Sequence, residues 1–209
     1  MVRKAELLHV LGATGQKNVQ QEQVQQLDLL SNSIMVALLK ASKRAALLVS
    51  EEEELAIHIS SPDAHYCVVF DPLDGSSNID CGVSVGTIFG IYRIDPSSAT
   101  PPVEQIKCPG NKMIAGGYCM YGSSCVFVLA VNSEVNGYTL DPNIGEFLLT
   151  HRKMTLGTKK IYSLNEGYAH SFSPAINGYL NSLKFPAPGF VGKFTPYSAR
   201  YVGSMVADV

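Results

Sequence analysis

The sequence predicts a layered α/β fold of the α+β kind, and three observations carry that expectation. A segment with helical apolar spacing lies near the N-terminus, short apolar runs end abruptly in acids, and a later stretch alternates apolar runs with tight-turn residues. A helix buries one stripe and a sheet one face, so such elements stack in layers around a common core. With 209 residues, 46% hydrophobic and 16% charged, the chain suffices for one large domain or one and a half smaller ones.

Taken in order, residues 21–42 (QEQVQQLDLLSNSIMVALLKAS) set Val24, Leu27, Ile34, Met35, Leu38 and Leu39 at helical spacing. Asp28 sits one turn after Val24, beside that stripe, where an acid on a surface helix is commonplace. AALLVS (45–50) reads as a buried strand whose end emerges at Glu51-Glu52-Glu53-Glu54, with AIHIS as a paired strand and SPDAH as a turn. YCVVF (66–70) is a second buried strand, running directly into Asp71-Pro72-Leu73-Asp74-Gly75-Ser76-Ser77-Asn78-Ile79-Asp80, and VSVGTIFGIYRI follows. DPSSATPPVEQIKCPGNK (95–112) reads as an exposed loop. MIAGGYCMYG (113–122) is read as helical, although its glycines disfavour a helix. CVFVLAV, GYTLD and GEFLLTH form an antiparallel meander with turns at VNG and DPNIG. KIYSLNEGY is a strand and polar turn, SPAINGYLNSLK a short helix opened by Ser-Pro, and PAPGFVGKFTP a loop. A domain boundary is expected near residue 155, dividing 1–155 from 156–209. The chain ends in SARYVGSMVADV, within an apolar pattern and without a helix stop signal, so an incomplete C-terminus is expected.

Bulk properties exclude several classes. Net charge is −2 with scattered basic residues, so no clustered basic face is available for nucleic acid. No apolar run reaches the ~18 residues of a membrane span, and MVRKAELLHVLG lacks the h-region of a signal peptide. Cys67, Cys81, Cys108, Cys119 and Cys125 are odd in number and form no CxxC pair. Free thiols in a reducing, cytoplasmic compartment fit better than a disulfide framework.

Two strand ends deliver carboxylates, Glu51 and Glu52 after LLVS and Asp71 and Asp74 after CVVF. Hard divalent cations take oxygen ligands, and Mg²⁺ commonly takes a few carboxylates with phosphate and water. Gly75, Ser76 and Ser77 follow at once and supply amides and hydroxyls suited to a phosphate. The bland alternatives are a solvated charge run for the glutamates and a tight turn for DPLDG. A calcium loop is excluded by register, since Gly75 is the fifth residue from Asp71 and Gly82 stands where the closing Glu belongs. The histidines lack zinc spacing, and GxSxG, GxGxxG and Walker A motifs are absent.

DPLDGSSNIDCGVSVGTIFGIYR closely resembles the signature region of fructose-1,6-bisphosphatases (class 1), where inositol monophosphatases and the wider lithium-sensitive superfamily share only a D-P-I/L-D-G core. LDLLSN, LVSEE, AGGYCMYGSS, LDPNIGEF, IYSLNEGYA and RYVGSMVADV are further matches in the right order. The resemblance implies a sugar-phosphatase-like fold of stacked helices and mixed sheets. It makes 1–155 a metal-binding domain lacking its first helices and 156–209 the start of an incomplete sugar-phosphate-binding domain. It implies hydrolysis of the 1-phosphate of fructose 1,6-bisphosphate, in gluconeogenesis, by direct attack of water with Mg²⁺ (two or more ions, Mn²⁺ as substitute). Glu51, Asp71, Asp74 and the carbonyl of Leu73 match metal positions, and Glu22 stands where the family usually has an aspartate near a metal. Asp28, assisted by Glu52, matches the position that activates the water. Asp74, Gly75, Ser76 and Ser77, then Asn165, Glu166, Gly167 and Tyr168, then Arg200, Tyr201, Val202, Gly203, Ser204 and Met205 match substrate-binding positions, with Arg200 reaching a neighbouring subunit's substrate. A homo-oligomer, commonly a tetramer, follows from that shared arginine.

Departures from the family pattern set further expectations. The N-terminal helices that carry much of the AMP site are missing, and His65 replaces a lysine beside Tyr66, which argues against AMP inhibition. Only Cys108 lies where light-regulated plastid forms carry their cysteines, which argues against that thiol switch. A further ligand glutamate and a phosphate-binding lysine are expected beyond Val209. The remaining alternatives are a catalytically impaired paralogue acting as a binding or regulatory subunit, and a sedoheptulose-1,7-bisphosphatase.

Overall fold

The computed structural model describes residues 13–17, 23–185 and 195–209. Strand β1 (Ala13–Lys17) pairs antiparallel with β2 (Gln23–Gln25), which leads into α1 (Gln26–Ser42). The helix therefore begins later than the apolar spacing indicated, because residues 23–25 give their backbone groups to the ladder with β1. Residues 21 and 22 lie outside the described residues. Then follow β3 (Ala45–Ser50), β4 (Ile57–His58), β5 (Tyr66–Asp74), β6 (Val85–Arg93) and a short α2 (Pro102–Gln105). The meander is β7 (Ala115–Tyr121), β8 (Cys125–Val131), β9 (Glu134–Asp141) and β10 (Glu146–His151). Last come β11 (Ile161–Tyr162), α3 (Pro174–Lys184), β12 (Ser198–Ala199) and α4 (Met205–Asp208), with β11 and β12 paired in parallel.

One eight-stranded sheet dominates, in the order β10-β9-β8-β7-β6-β5-β3-β4. Its pairings are antiparallel except β3 with β5, which run parallel. α1 covers one face of that pair, where Met35, Val36 and Leu39 pack on Ala45, Leu48, Val68 and Phe70. Val103 and Ile106 cover the other face, over Leu47, Cys67 and Ile94. The layered α/β arrangement expected from the sequence is the one observed.

Three local expectations are corrected. Residues 115–121 form a central strand rather than a helix, because β6 and β8 take both edges of its backbone. Glycine is what that strand needs at position 117, where an added Cβ would stand 2.2 Å from the Val128 carbonyl oxygen. The turn placed at VNG lies instead at Asn132 and Ser133, both with positive φ (51° and 63°), the conformation of a two-residue hairpin that follows the twist of its strands. Asn136 and Gly137 sit inside β9. The loop 95–112 holds α2, which Pro102 opens at its first turn, and a single 3₁₀ turn, Gly110–Lys112. The DPNIG turn and the Ser-Pro helix start stand as expected, with Ser173 Oγ accepting from the Ile176 amide at 3.4 Å.

Candidate active site

Parallel pairing aligns the C-terminal ends of β3 and β5. Ser50 stands opposite Phe70, and the Glu51 amide donates to the Phe70 carbonyl at 3.1 Å. The next residue on each strand is an acid, so Glu51 and Asp71 emerge side by side. β5 then continues through Asp74 with a bulge, since Asp71 opposes Ile88 while Asp74 opposes Gly86. Pro72, which has no amide to give the ladder, sits at that irregularity. Its carbonyl accepts from Thr87 Oγ1 at 2.9 Å, and Leu73 is buried against Leu27 and Val85.

These residues border a pocket of about 590 Å³. Asp28, Glu51, Glu52, Asp71, Leu73, Asp74, Gly75 and Ser76 line one part of it, and Val69, Ile88, Phe89, Tyr92, Met113 and Met205 supply apolar wall. Asp28 reaches it from the first turn of α1 and is only 2% exposed. Among the described residues, none of those lining it is Lys or Arg. Burial, then the neighbouring Glu51 carboxylate, pushes the Asp71 carboxyl up to about 8, against which the Leu73 amide, donating at 2.8 Å, holds it down.

Such a donor set fits a hard divalent cation. It offers oxygen ligands only, it is anionic, and the half-buried Asp71 beside the Glu51 carboxylate favours a positive charge. Among the described residues no three His, Cys, Asp or Glu side chains close into a preformed cage. The acids line an open mouth, which suits a cation that shares its coordination with phosphate and water.

The C-terminal segment completes the wall. Asp74 Oδ2 accepts from Ser204 Oγ at 3.0 Å and from the Val206 amide at 3.3 Å. Gly75 has φ +77°, and a Cβ there would stand 2.5 Å from Ser204 Cβ. The Gly203 carbonyl accepts from Asn78 Nδ2 at 2.9 Å.

Comparison with known proteins gives this arrangement its relatives. The family model "Fructose-1-6-bisphosphatase, N-terminal domain" matches residues 1–152. The cytosolic fructose-1,6-bisphosphatase of Solanum tuberosum is 52% identical over 210 residues, covering 100% of this chain and 60% of the relative. That of Arabidopsis thaliana is 51% identical, with the same coverage. The chain belongs to the fructose-1,6-bisphosphatase family. Crystal structures of the Leishmania major fructose-1,6-bisphosphatase match with TM-scores of 0.89 (holo form, 40% identity) and 0.80 (apo form, 39% identity). They cover 99% of this chain, which spans 64% and 61% of theirs. The chain thus spans about 60% of the length of the curated relatives it matches.

Of the family positions read from the sequence, the pocket gathers Asp28, Glu51, Glu52, Asp71, Leu73, Asp74, Gly75, Ser76 and Met205. Gly203 and Ser204 stand behind it, through Asn78 and Asp74. Ser77 is exposed and does not line it. Asn165, Glu166, Gly167 and Tyr168 also lie off the pocket, at a 3₁₀ turn (Glu166–Ser171) capped by Asn165 Oδ1, which accepts from the Gly167 amide. There Glu166 accepts from the Tyr162 hydroxyl and pairs with Lys184, and these partners hold its carboxyl below the usual range. Arg200, Tyr201 and Val202 are exposed and off the pocket as well. Glu22 lies outside the described residues.

Sequence reasoning passed over Asn32. It is buried one turn after Asp28 on α1, accepts from Ser50 Oγ at 2.8 Å and donates to Glu53 Oε1 at 2.8 Å. It thereby ties the helix to the strand end that carries Glu51 and Glu52. The available signal was its spacing, four residues beyond Asp28 on the same helix face.

Proposed function

We propose that the chain carries the catalytic acids of a Mg²⁺-dependent phosphatase that hydrolyses the 1-phosphate of fructose 1,6-bisphosphate to fructose 6-phosphate and phosphate. The observation that supports this reading most is the parallel register of β3 and β5, which sets Glu51 beside Asp71 with no basic side chain among the described residues of the pocket wall. Family membership supports the substrate, since the relatives are named fructose-1,6-bisphosphatases.

In this reading Glu51, Asp71, Asp74 and the Leu73 carbonyl hold the cations, two or more, with Mn²⁺ as a substitute. When bound, they supply positive charge that neutralises the phosphate and acidifies water. Asp28 takes up the proton of the attacking water, and Glu52 assists. Asp28 suits this work because its burial removes competing solvent. Gly75 and Ser76 orient the phosphate from the same wall, and Met205 borders the sugar. Asp74 links the two regions, since Ser204 and Val206 hold its Oδ2.

The same reading gives a cytoplasmic homo-oligomer, tetrameric as in the family, acting in gluconeogenesis. Residues 156–209 open a sugar-phosphate-binding unit beyond the metal-binding one, and AMP inhibition is not expected. Among the described residues no helix is long and apolar enough to cross a membrane.

The test is phosphate release from fructose 1,6-bisphosphate with and without Mg²⁺, with Asp74→Asn as control and sedoheptulose 1,7-bisphosphate as competing substrate. Metal-dependent release, lost in the variant and faster on the fructose ester, is expected. A second reading, a binding or regulatory subunit of low activity, is favoured by Arg200 and Glu166 lying off the pocket. Retained fructose bisphosphate binding with no release from folded protein would select it.

A further inference from the structure

A pair of thiols lies outside the acidic pocket, beside a tyrosine whose hydroxyl is linked to the acidic loop by hydrogen bonds. Cys119 on β7 and Cys125 at the start of β8 have Sγ atoms 3.7 Å apart, and both are partly buried. Cys119 stands opposite Phe127 and Cys125 opposite Tyr121, so the cysteines are diagonal neighbours on one sheet face. Thiols at that separation are in contact, and a disulfide needs its sulfurs at ~2.05 Å. Residues 122–124, a bend between the two strands, form the connection directly before Cys125.

From Tyr121, the cross-strand partner of Cys125, hydrogen bonds run to the acidic loop. Thr87 Oγ1 donates to the Pro72 carbonyl at 2.9 Å. The Tyr121 hydroxyl, 2.8 Å from Thr87 Oγ1, is then the donor to it, and Cys119 contacts Tyr121 in turn. Pro72 lies in the bulge between Asp71 and Asp74. A bond that pulls Cys125 toward Cys119 moves the strand segment facing Tyr121, whose hydroxyl reaches Pro72 through Thr87.

We propose that Cys119 and Cys125 form a reversible disulfide by exchange with a small disulfide of the glutathione class, and that this bond loosens the bulge between Asp71 and Asp74. The Cys125 thiolate attacks one sulfur of glutathione disulfide and displaces a glutathione thiolate, leaving a mixed disulfide. The Cys119 sulfur then attacks Cys125 Sγ and displaces the second glutathione. Both cysteine protons leave with the two glutathiones, so the protein dithiol is oxidised and glutathione disulfide is reduced. Burial, followed by the neighbouring Cys125, pushes the Cys119 thiol up to about 12, which assigns it the second, resolving step. The proposal does not depend on phosphatase activity.

The test treats the full chain with excess glutathione disulfide and compares it with dithiothreitol-reduced protein. Intact mass is expected to fall by two hydrogens, peptide mapping to join Cys119 to Cys125, and Cys119→Ser and Cys125→Ser each to abolish the link. Cys67→Ser, Cys81→Ser and Cys108→Ser are expected to leave it. Stable glutathione adducts without a link, or a link that survives Cys125→Ser, would overturn the pairing. Hydrogen–deuterium exchange of the peptide spanning residues 71–75 reads the coupling. Oxidation is expected to speed it several-fold, and Thr87→Val to shrink that response while the disulfide still forms. Equal exchange in oxidised and reduced protein would overturn the coupling.

Discussion

Around β3 and β5 the sheet is covered on both faces, by α1 on one and by Val103 and Ile106 on the other, whereas every residue of β10, at the far edge, is exposed. The covered region holds the lone parallel pairing of the sheet, and the exposed one is built from hairpins. Hairpins pair neighbours in sequence and hold register through cross-strand contacts, here Phe127 on its partner Tyr138 at 6.1 Å between ring centroids. They send consecutive loops to opposite ends of the sheet. A parallel pair needs a longer crossover, here residues 51–65, and brings two like ends together. That is why the pocket acids gather where β3 and β5 end.

The largest expected effect separates the two regions by function. Asp71→Asn removes a cation-seeking charge while keeping an oxygen for the Leu73 amide. Mg²⁺-supported phosphate release should fall by about 10²–10³-fold, the usual cost of removing one electrostatic partner at a reacting centre. Metal-free stability in urea should not fall, because the carboxylate is buried beside another acid. A variant that lost stability and kept activity would place Asp71 in the scaffold rather than the site.

Stability gives the next contrast. Leu48 is 0% exposed beneath α1, and Leu48→Ala should cost about 2–5 kcal/mol. Phe147 on β10 is 42% exposed, and Phe147→Ala should cost about 1 kcal/mol, mostly its tilted ring contact with Phe127. Equal costs by denaturant titration would mean that the meander is buried against something beyond these contacts. Gly75→Ala should fall between, at about 1–3 kcal/mol, since φ +77° strains a side chain and its Cβ meets Ser204. Its sharper signature is faster proteolysis within residues 203–209, which Asn78 and Asp74 otherwise hold.

The sequence disclosed most of this where local chemistry and tertiary outcome agree. AALLVS and YCVVF run into acids, and both are buried strand segments that reach the pocket, β3 ending there and β5 running on through Asp74. It failed where neighbours decide. Glycines in 113–122 weaken any local signal, and only the close approach of Val128 makes position 117 intelligible. Asn136-Gly137 is a stronger hairpin signal than Asn132-Ser133, yet pairing of Val131 with Glu134 fixes the turn at the weaker one. Asp28 looked like an ordinary surface acid because periodicity sees only the apolar stripe. Its burial comes from the pocket wall that β5 brings to α1, a relation between residues far apart in sequence.

The smallest expected effect is a pH dependence confined to the covered region. In metal-free protein burial and the Glu51 carboxylate push the Asp71 carboxyl up to about 8 when folded, from 3.8 when unfolded. Between these values the folded state binds the extra proton, so stability falls as pH rises from about 4 toward 8 and is level above that. The pocket is open to water, which screens the charge and keeps the change below that of Leu48→Ala. Saturating Mg²⁺ supplies the missing positive charge and should flatten the slope, and Asp71→Asn should remove it without metal. Urea midpoints at pH 5 and pH 8, with EDTA and with Mg²⁺, measure this directly. A slope that persisted in Asp71→Asn would move the titration to another group and leave the pocket acids balanced without a cation.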